Sequence, residues 1–285
     1  MSVANSMLVP MADGHDVPQI FCTAFRLGST EETKEYIHNM FSAGVRHFEI
    51  AELHGNGHTV CEALREAASR EEIFITLKVW PKSRNPTDVL ETVNYLLQTY
   101  ELTYVDLLMM HAPIDVENKI EQFKALEEMK DSGVAKSIGI ANLNAVLLQD
   151  LLKNCRVSPA VYETEAHPFG QNDDMTEFCS DSSIVVLNNE PVAKAMRAEH
   201  TQLAKLAEEH EMSSTRMLLL WAFSKGMCVG LSAATNKAVL VEVSGNGGVK
   251  ACFNGPLSQK TMEILNSFEE GLACTWNPAE AVVDE

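Results

Sequence analysis

The chain has 285 residues, 46% of them hydrophobic, and carries 22 Lys and Arg against 40 Asp and Glu, a formal net charge of −18. That length and apolar content suit one large α/β domain spanning residues 1–285. A surface this acidic repels phosphate backbones and anionic lipid, which puts nucleic-acid and membrane-surface binding outside the expected functions.

Short apolar runs then alternate with amphipathic stretches along the chain. The apolar runs are "QIFCTAF" (19–25), "RHFEI" (46–50), "IFITLKV" (73–79), "YVDLLMM" (104–110), "KSIGI" (136–140), "AVYETE" (160–165), "SIVVL" (183–187) and "MCVGL" (227–231). Helical patterns lie between them, such as "EETKEYIHNMFSAGV" and "NPTDVLETVNYLLQTYEL", the latter opening on Asn-Pro, a helix-start signal. In "NKIEQFKALEEMKDSGV", Ile120, Phe123, Leu126 and Met129 fall at three-residue steps, and Gly133 stands where a helix-ending glycine belongs. Eight β/α units predict a closed (β/α)8 TIM barrel. An open doubly wound sheet is the runner-up, but no Gly-x-Gly-x-x-Gly follows the first strand. Beyond the barrel, "SGNGGVKACFNG" (244–255) reads as a glycine-rich flexible loop. "PLSQKTMEILNSFEE" (256–270) reads as a C-terminal helix with Ser258 as N-cap, and "CTWNPAEAVVDE" as an extended surface tail.

No run approaches 18 apolar residues, so no membrane-spanning helix is expected. The first 18 residues show neither the basic region nor the apolar run of a secretory leader. Seven cysteines, at 22, 61, 155, 179, 228, 252 and 274, show no C-x-x-C spacing. They suit reduced thiols in the cytoplasm.

In a barrel of this kind, chemistry sits at the C-terminal ends of the strands. Glu49 falls near the end of the second strand with His54 in the loop after it. Lys78 falls near the end of the third and His111 at the end of the fourth. Asn142 follows the fifth, Glu163 and Glu165 lie on the sixth with His167 just after, and Asn189 follows the seventh. There is no H-x-x-x-H or H-E-x-x-H pairing, so no metal site is expected.

Order and spacing over about residues 15–245 resemble the aldo-keto reductases. The similarity is strongest in "GVRHFEIAELHGNGHTVCEALRE", "REEIFITLKVWP", "YVDLLMMHAP", "VAKSIGIANLN", "VSPAVYETEAHPF" and "TEFCSDSSIVVLNNEPV". The resemblance implies an N-terminal β-hairpin, here "MLVPMADGHDVPQI", that plugs the barrel floor. It also implies a tetrad of Asp, Tyr, Lys and His, in which the Tyr protonates a carbonyl that takes hydride from NADPH. Lys78 and His111 match that tetrad. Glu49 stands at the Asp position and His54 at the Tyr position. The family's Ser-Asn and Gln around the nicotinamide amide become Ala141, Asn142 and Glu163, and its stacking Tyr becomes Asn189. The positions that hold the adenosine 2′-phosphate become Ala233, Ala234, Val239, Glu242 and Val243, in a stretch with Lys237 as its sole cation.

Two lost charge-assisted contacts at about 1.5–3 kcal/mol each would weaken NADPH by roughly two to four decades. Loss of the stacking ring and the neutral amide would also degrade hydride-transfer geometry. His54 has an ordinary pKa near operating pH. Lys78 pushes it toward its neutral form and Glu49 toward its charged form, a balance the sequence leaves open. These substitutions predict a barrel with lost or much reduced NADPH-dependent carbonyl reduction and weak or absent NADPH binding. It would serve as a structural, regulatory or small-molecule-binding protein, with a protein partner among the expectations. The alternative is an active NAD(P)H-dependent reductase using His54 as acid. A third reading is a lyase or isomerase using Glu49, Glu163 and His111 as acid/base groups.

Overall fold

A computed structural model of the chain describes residues 7–25, 27, 29–80, 86–112, 118–197, 199–232, 237–245 and 247–275. Eight parallel strands close into a barrel: β3 (Ile20–Thr23), β4 (His47–Ala51), β5 (Phe74–Val79), β6 (Val105–Met110), β7 (Ala135–Ala141), β8 (Val161–Thr164), β9 (Val185–Asn188) and β10 (Cys228–Leu231). All eight predicted strands are present, and β10 pairs with β3 to close the ring. This is the (β/α)8 barrel, not the open sheet.

Side chains alternate across the strands as the pleat requires. Along β4, Phe48 and Ile50 pack outward beneath the helices, whereas along β5 Ile75, Leu77 and Val79 do so. The inward positions of the lower barrel form a separate apolar plug of Phe21, Phe74, Leu107, Met109, Val161 and Leu187. The hairpin β1 (Leu8–Pro10) and β2 (Asp16–Pro18) pairs antiparallel and adds Met11 and Val17 to that plug. The expected floor-plugging hairpin is therefore in place.

Helices form where caps and apolar stripes coincide. Ser29 and Glu32 make a reciprocal capping box at the start of α1 (Thr30–Ser42). Then follow α2 (Gly57–Ala67), α3 (Pro86–Tyr100), α4 (Lys119–Asp131), α5 (Ala145–Asn154), α6 (Asp173–Asp181), α7 (Thr201–Glu209) and α8 (Ser214–Ser224). Past α4, Gly133 takes the left-handed conformation at φ +77°, the helix-ending role its position predicted.

The glycine-rich run 244–255 is not the predicted loop throughout. Following α9 (Lys237–Ser244), residues 248–252 form α10 (Gly248–Cys252), with Val249 and Cys252 buried. Glycine density suggested looseness, but burial of two apolar side chains one turn apart favours a helical turn. Gly248, at φ +60°, packs so tightly that a Cβ would sit 2.2 Å from the Ala43 carbonyl oxygen. The C-terminal helix α11 (Gln259–Asn266) starts as predicted, with Ser258 accepting the Thr261 N–H. Of the tail, residues 274 and 275 are held against the barrel, and 276–285 lie outside the described residues.

Candidate active site

At the barrel mouth, Glu49, Lys78 and Glu163 point inward from β4, β5 and β8 and meet in a buried cluster. Lys78 Nζ lies 3.0 Å from Glu49 Oε1 and 2.5 Å from Glu163 Oε1. Asn189, just past β9, donates from Nδ2 to the same Glu163 Oε1 at 2.8 Å. Asn142 follows β7 and donates from Nδ2 to the His111 carbonyl at 2.9 Å. His111 leaves β6 with its ring edge-on to Trp80, centroids 5.3 Å apart. His54 ends a 3-10 turn (Glu52–His54) that Gly55 terminates at φ +70°, and its ring lies 5.0 Å from that of Phe25. A cavity of about 310 Å³ opens above, lined among others by Glu49, His54, Lys78, His111, Asn142 and Asn189. Six of the nine strand-end residues singled out in the sequence thus share one cavity, while Glu165 and His167 meet the tail at Cys274 instead. Glu163, wholly buried, lies outside its lining.

The electrostatics follow from one ammonium serving two carboxylates. Burial works against the Lys78 charge, but Glu163 and then Glu49 outweigh it and raise its pKa. Burial, then the neighbouring Glu49, push Glu163 up to about 7, with Lys78 opposing. The second negative charge in a water-poor site lacks a counter-charge of its own. Burial, then Lys78, lower His54 to about 4 and His111 to about 3. The balance that the sequence left open for His54 thus falls on the neutral side at pH 7.

Several cavity residues carried no signal in the sequence. Thr23, Phe25, Leu53, Glu190, Lys194, Ser232 and Thr275 all line it. Thr275 comes from the far end of the chain. Glu165 brings it there: its Oε1 accepts the Cys274 N–H at 2.7 Å, and its Oε2 accepts the Thr275 N–H at 2.6 Å and the Thr275 hydroxyl. Lys194 Nζ adds a 2.5 Å bond to the Cys274 carbonyl. Burial opposes ionisation of Glu165, but bonds from His167, Thr275 and the Cys274 N–H hold its carboxyl near 2. Ligand-type atoms of Glu165, His167 and Cys274 fall within 4.8 Å of one another, a juxtaposition that sequence spacing could not reveal. Both Glu165 oxygens are occupied by this clamp.

His47 likewise gave no clear signal. It is wholly buried inside the barrel, where Nε2 meets Thr76 Oγ1 at 2.7 Å and Nδ1 lies 3.2 Å from the Pro18 carbonyl. Burial lowers its pKa to about 4. It ties the hairpin to the wall of the barrel and is structural.

At the positions aligned with the 2′-phosphate site, Val239 and Val243 are buried in the core, and Glu242 accepts a bond from the Ser213 hydroxyl at 2.5 Å. Ala233, Ala234 and the Lys237 side chain lie outside the described residues. Arg216 is committed to the Ala251 and Cys252 carbonyls at 2.7 and 3.1 Å and to Asn254.

A model of the aldo/keto reductase family matches residues 24–270. The chain belongs to the aldo/keto reductase family. It is 33% identical to a Schizosaccharomyces pombe NAD/NADP-dependent indole-3-acetaldehyde reductase, covering 67% of this chain and 70% of that one. It is 30% identical to mouse aldo-keto reductase family 1 member A1, covering 70% and 72%. Among solved structures, it superposes on a Bombyx mori aldo-keto reductase in complex with NADP with a TM-score of 0.84 at 20% identity, covering 95% of each chain. An aldo-keto reductase enzyme from a deep-sea metagenome gives 0.86 at 23% identity, covering 94% of this chain and 97% of that one. At such identities the structural likeness speaks for the barrel alone. Among the described residues no helix is long and apolar enough to cross a membrane.

Proposed function

We propose that this aldo/keto reductase-family chain has lost, wholly or in large part, NADPH-dependent carbonyl reduction, and that its barrel mouth serves as a small-molecule-binding or regulatory site in the cytoplasm. One observation carries the reading. Two of the residues at the nicotinamide positions, Glu163 and Asn189, are bonded to each other at 2.8 Å, and Glu163 is bonded to Lys78 at 2.5 Å. Groups that would orient the ring are used within the protein.

The proton-transfer half supports the same reading. A His54 pKa of about 4 leaves on the order of one imidazole in a thousand charged at pH 7. The neutral ring is a poor acid. A reduced nicotinamide dinucleotide, when bound, supplies hydride. The residues left to receive it are Asn142, whose amide N–H already serves the His111 carbonyl, and the acidic Glu163. Seven free cysteines accord with a reducing compartment. A protein partner remains part of the proposal, as the route by which a non-catalytic barrel would act.

The second reading, an active reductase with His54 as acid, draws on the relatives that bear reductase names and on the retained Lys78–Glu49 pair. The acid/base reading is weakened because Glu163, the carboxyl poised near neutrality, does not line the cavity. Titration with NADPH, followed by fluorescence, decides between the first two. We expect no saturable binding in the micromolar range. Micromolar or tighter binding, with turnover of a generic aldehyde abolished by His54→Ala, would overturn the proposal.

A further inference from the structure

Glu165, His167 and Cys274 come together from two segments of the chain, His167 and Cys274 being 107 residues apart. Glu165 and His167 follow β8, and Cys274 arrives with the tail. They offer one carboxylate oxygen, one imidazole nitrogen and one sulfur, all within 4.8 Å of one another. Zinc takes this mixture of donors. His167 is wholly buried, but Cys274 is half-buried and the Glu165 side chain is 10% exposed, so an ion approaches past the tail without opening the barrel.

The distances can be compared with those of a tetrahedral zinc. With bonds of about 2.3 Å to sulfur and about 2.0 Å to nitrogen or oxygen, its sulfur and nitrogen ligands lie about 3.6 Å apart and its nitrogen and oxygen ligands about 3.3 Å. Cys274 Sγ lies 3.7 Å from His167 Nε2. Glu165 Oε1 lies 2.7 Å from the same nitrogen, at hydrogen-bond distance, and has to withdraw by about 0.6 Å to make room. The ionised carboxylate only accepts, so the shared proton sits on Nε2, and in the neutral ring Nδ1 carries the lone pair. That Nδ1 is buried with no hydrogen-bond partner among the described residues. An ion on Nε2 replaces the shared proton and leaves the three bonds from the tail to Glu165 in place. Glu190, buried and lining the barrel-mouth cavity, is within electrostatic reach of Glu165, His167 and Cys274. Lys194, with Nζ on the Cys274 carbonyl at 2.5 Å, sets one positive charge against these two carboxylates. The net charge of −18 also raises the concentration of cations around the protein.

We propose that Glu165, His167 and Cys274 bind one zinc ion, which tethers the C-terminal tail and holds Thr275 in the wall of the barrel-mouth cavity. Three protein ligands leave the fourth position to water. The site is independent of whether the barrel reduces carbonyls. On binding, bonds form from zinc to Glu165 Oε1, His167 Nε2 and Cys274 Sγ. The thiol proton leaves to solvent, and the imidazole keeps one proton, moved from Nε2 to Nδ1. The balance is one proton released per ion.

The test uses the full chain, reduced and stripped with a chelator that is then removed. Zinc is titrated in competition with a chromophoric chelator, and by calorimetry at pH 7 in PIPES and in HEPES buffer. One equivalent is expected to bind with a micromolar or tighter Kd, with a buffer-dependent enthalpy that reports proton release. Cobalt(II) in place of zinc is expected to give a thiolate-to-metal charge-transfer band in the near ultraviolet. Cys274→Ser is expected to abolish that band and weaken zinc by about tenfold or more, while Cys155→Ser, at the other half-buried thiol, changes neither. Zinc is also expected to slow hydrogen exchange at the Cys274 and Thr275 amides. Absence of stoichiometric binding at micromolar zinc, a cobalt band that survives Cys274→Ser, or tail amides that exchange equally fast with and without zinc overturns the proposal. Should Cys274→Ser fail to fold, the exchange measurement on the natural chain decides.

Discussion

Replacing Glu163 with Gln tests the charge imbalance at the heart of the site. The amide oxygen can still accept from Lys78 and Asn189, as Oε1 does now at 2.5 and 2.8 Å, so the packing is kept while one charge is removed. Burial and Glu49 raise the Glu163 pKa from 4.5 to about 7, a shift corresponding to about 3 kcal/mol. The sign follows from linkage. A carboxyl with its folded pKa above its unfolded one favours folding while protonated. That contribution is full below about pH 4.5 and is lost as pH rises through about 7. The substituted amide mimics the protonated acid at every pH. The Glu163→Gln variant should therefore match the natural chain near pH 4.5 and exceed it at pH 8 by about 3 kcal/mol, on the order of 5–10 °C in melting temperature. Scanning calorimetry of both proteins at the two pH values provides the measurement, and the difference between proteins cancels the titration of groups not coupled to Glu163. A stability difference that is constant with pH, or larger at pH 4.5, would refute the claim that Glu163 carries the excess charge.

Two further outcomes are expected. Glu165→Ala should release the tail: hydrogen exchange at the Cys274 and Thr275 amides, now bonded to Glu165 at 2.7 and 2.6 Å, should accelerate more than tenfold while core amides stay protected. Unchanged exchange there would mean that the clamp is not what holds the tail. Asp106→Asn should lower stability by about 2–4 kcal/mol in urea denaturation, since Asp106 accepts from Arg70 at 2.7 Å, Lys136 at 2.9 Å and the Ile75 N–H at 2.9 Å. A loss below about 1 kcal/mol would show that these cations re-solvate freely.

The barrel was legible because its signals are local. Alternation along "RHFEI" and "IFITLKV" places Glu49 and Lys78 on inward positions of neighbouring strands, offset by two residues in register, within reach of a 3.0 Å ion pair. Caps such as Ser29 with Glu32, and Ser258, fix helix starts within a few residues of chain. The run 244–255 was misleading for the same reason: its glycines are a local signal for looseness, while the burial of Val249 and Cys252 depends on α1 and α9, which lie elsewhere in the chain.

The amino-acid sequence by itself determined the closed barrel and the strand-end positions of Glu49, His54, Lys78, His111, Asn142, Glu163 and Asn189, while the floor hairpin was implied by the family resemblance. Periodicity and strand order are properties of neighbouring residues, so they can be read without coordinates. Only the tertiary structure decided what those residues are at neutral pH. The sharing of Lys78 between two carboxylates, the neutrality of His54, the removal of Glu163 from the cavity wall, and the pinning of Thr275 across 110 residues by Glu165 all depend on burial and on distances between remote segments. Desolvation and Coulomb energies vary with environment and separation in space, neither of which spacing along a chain records.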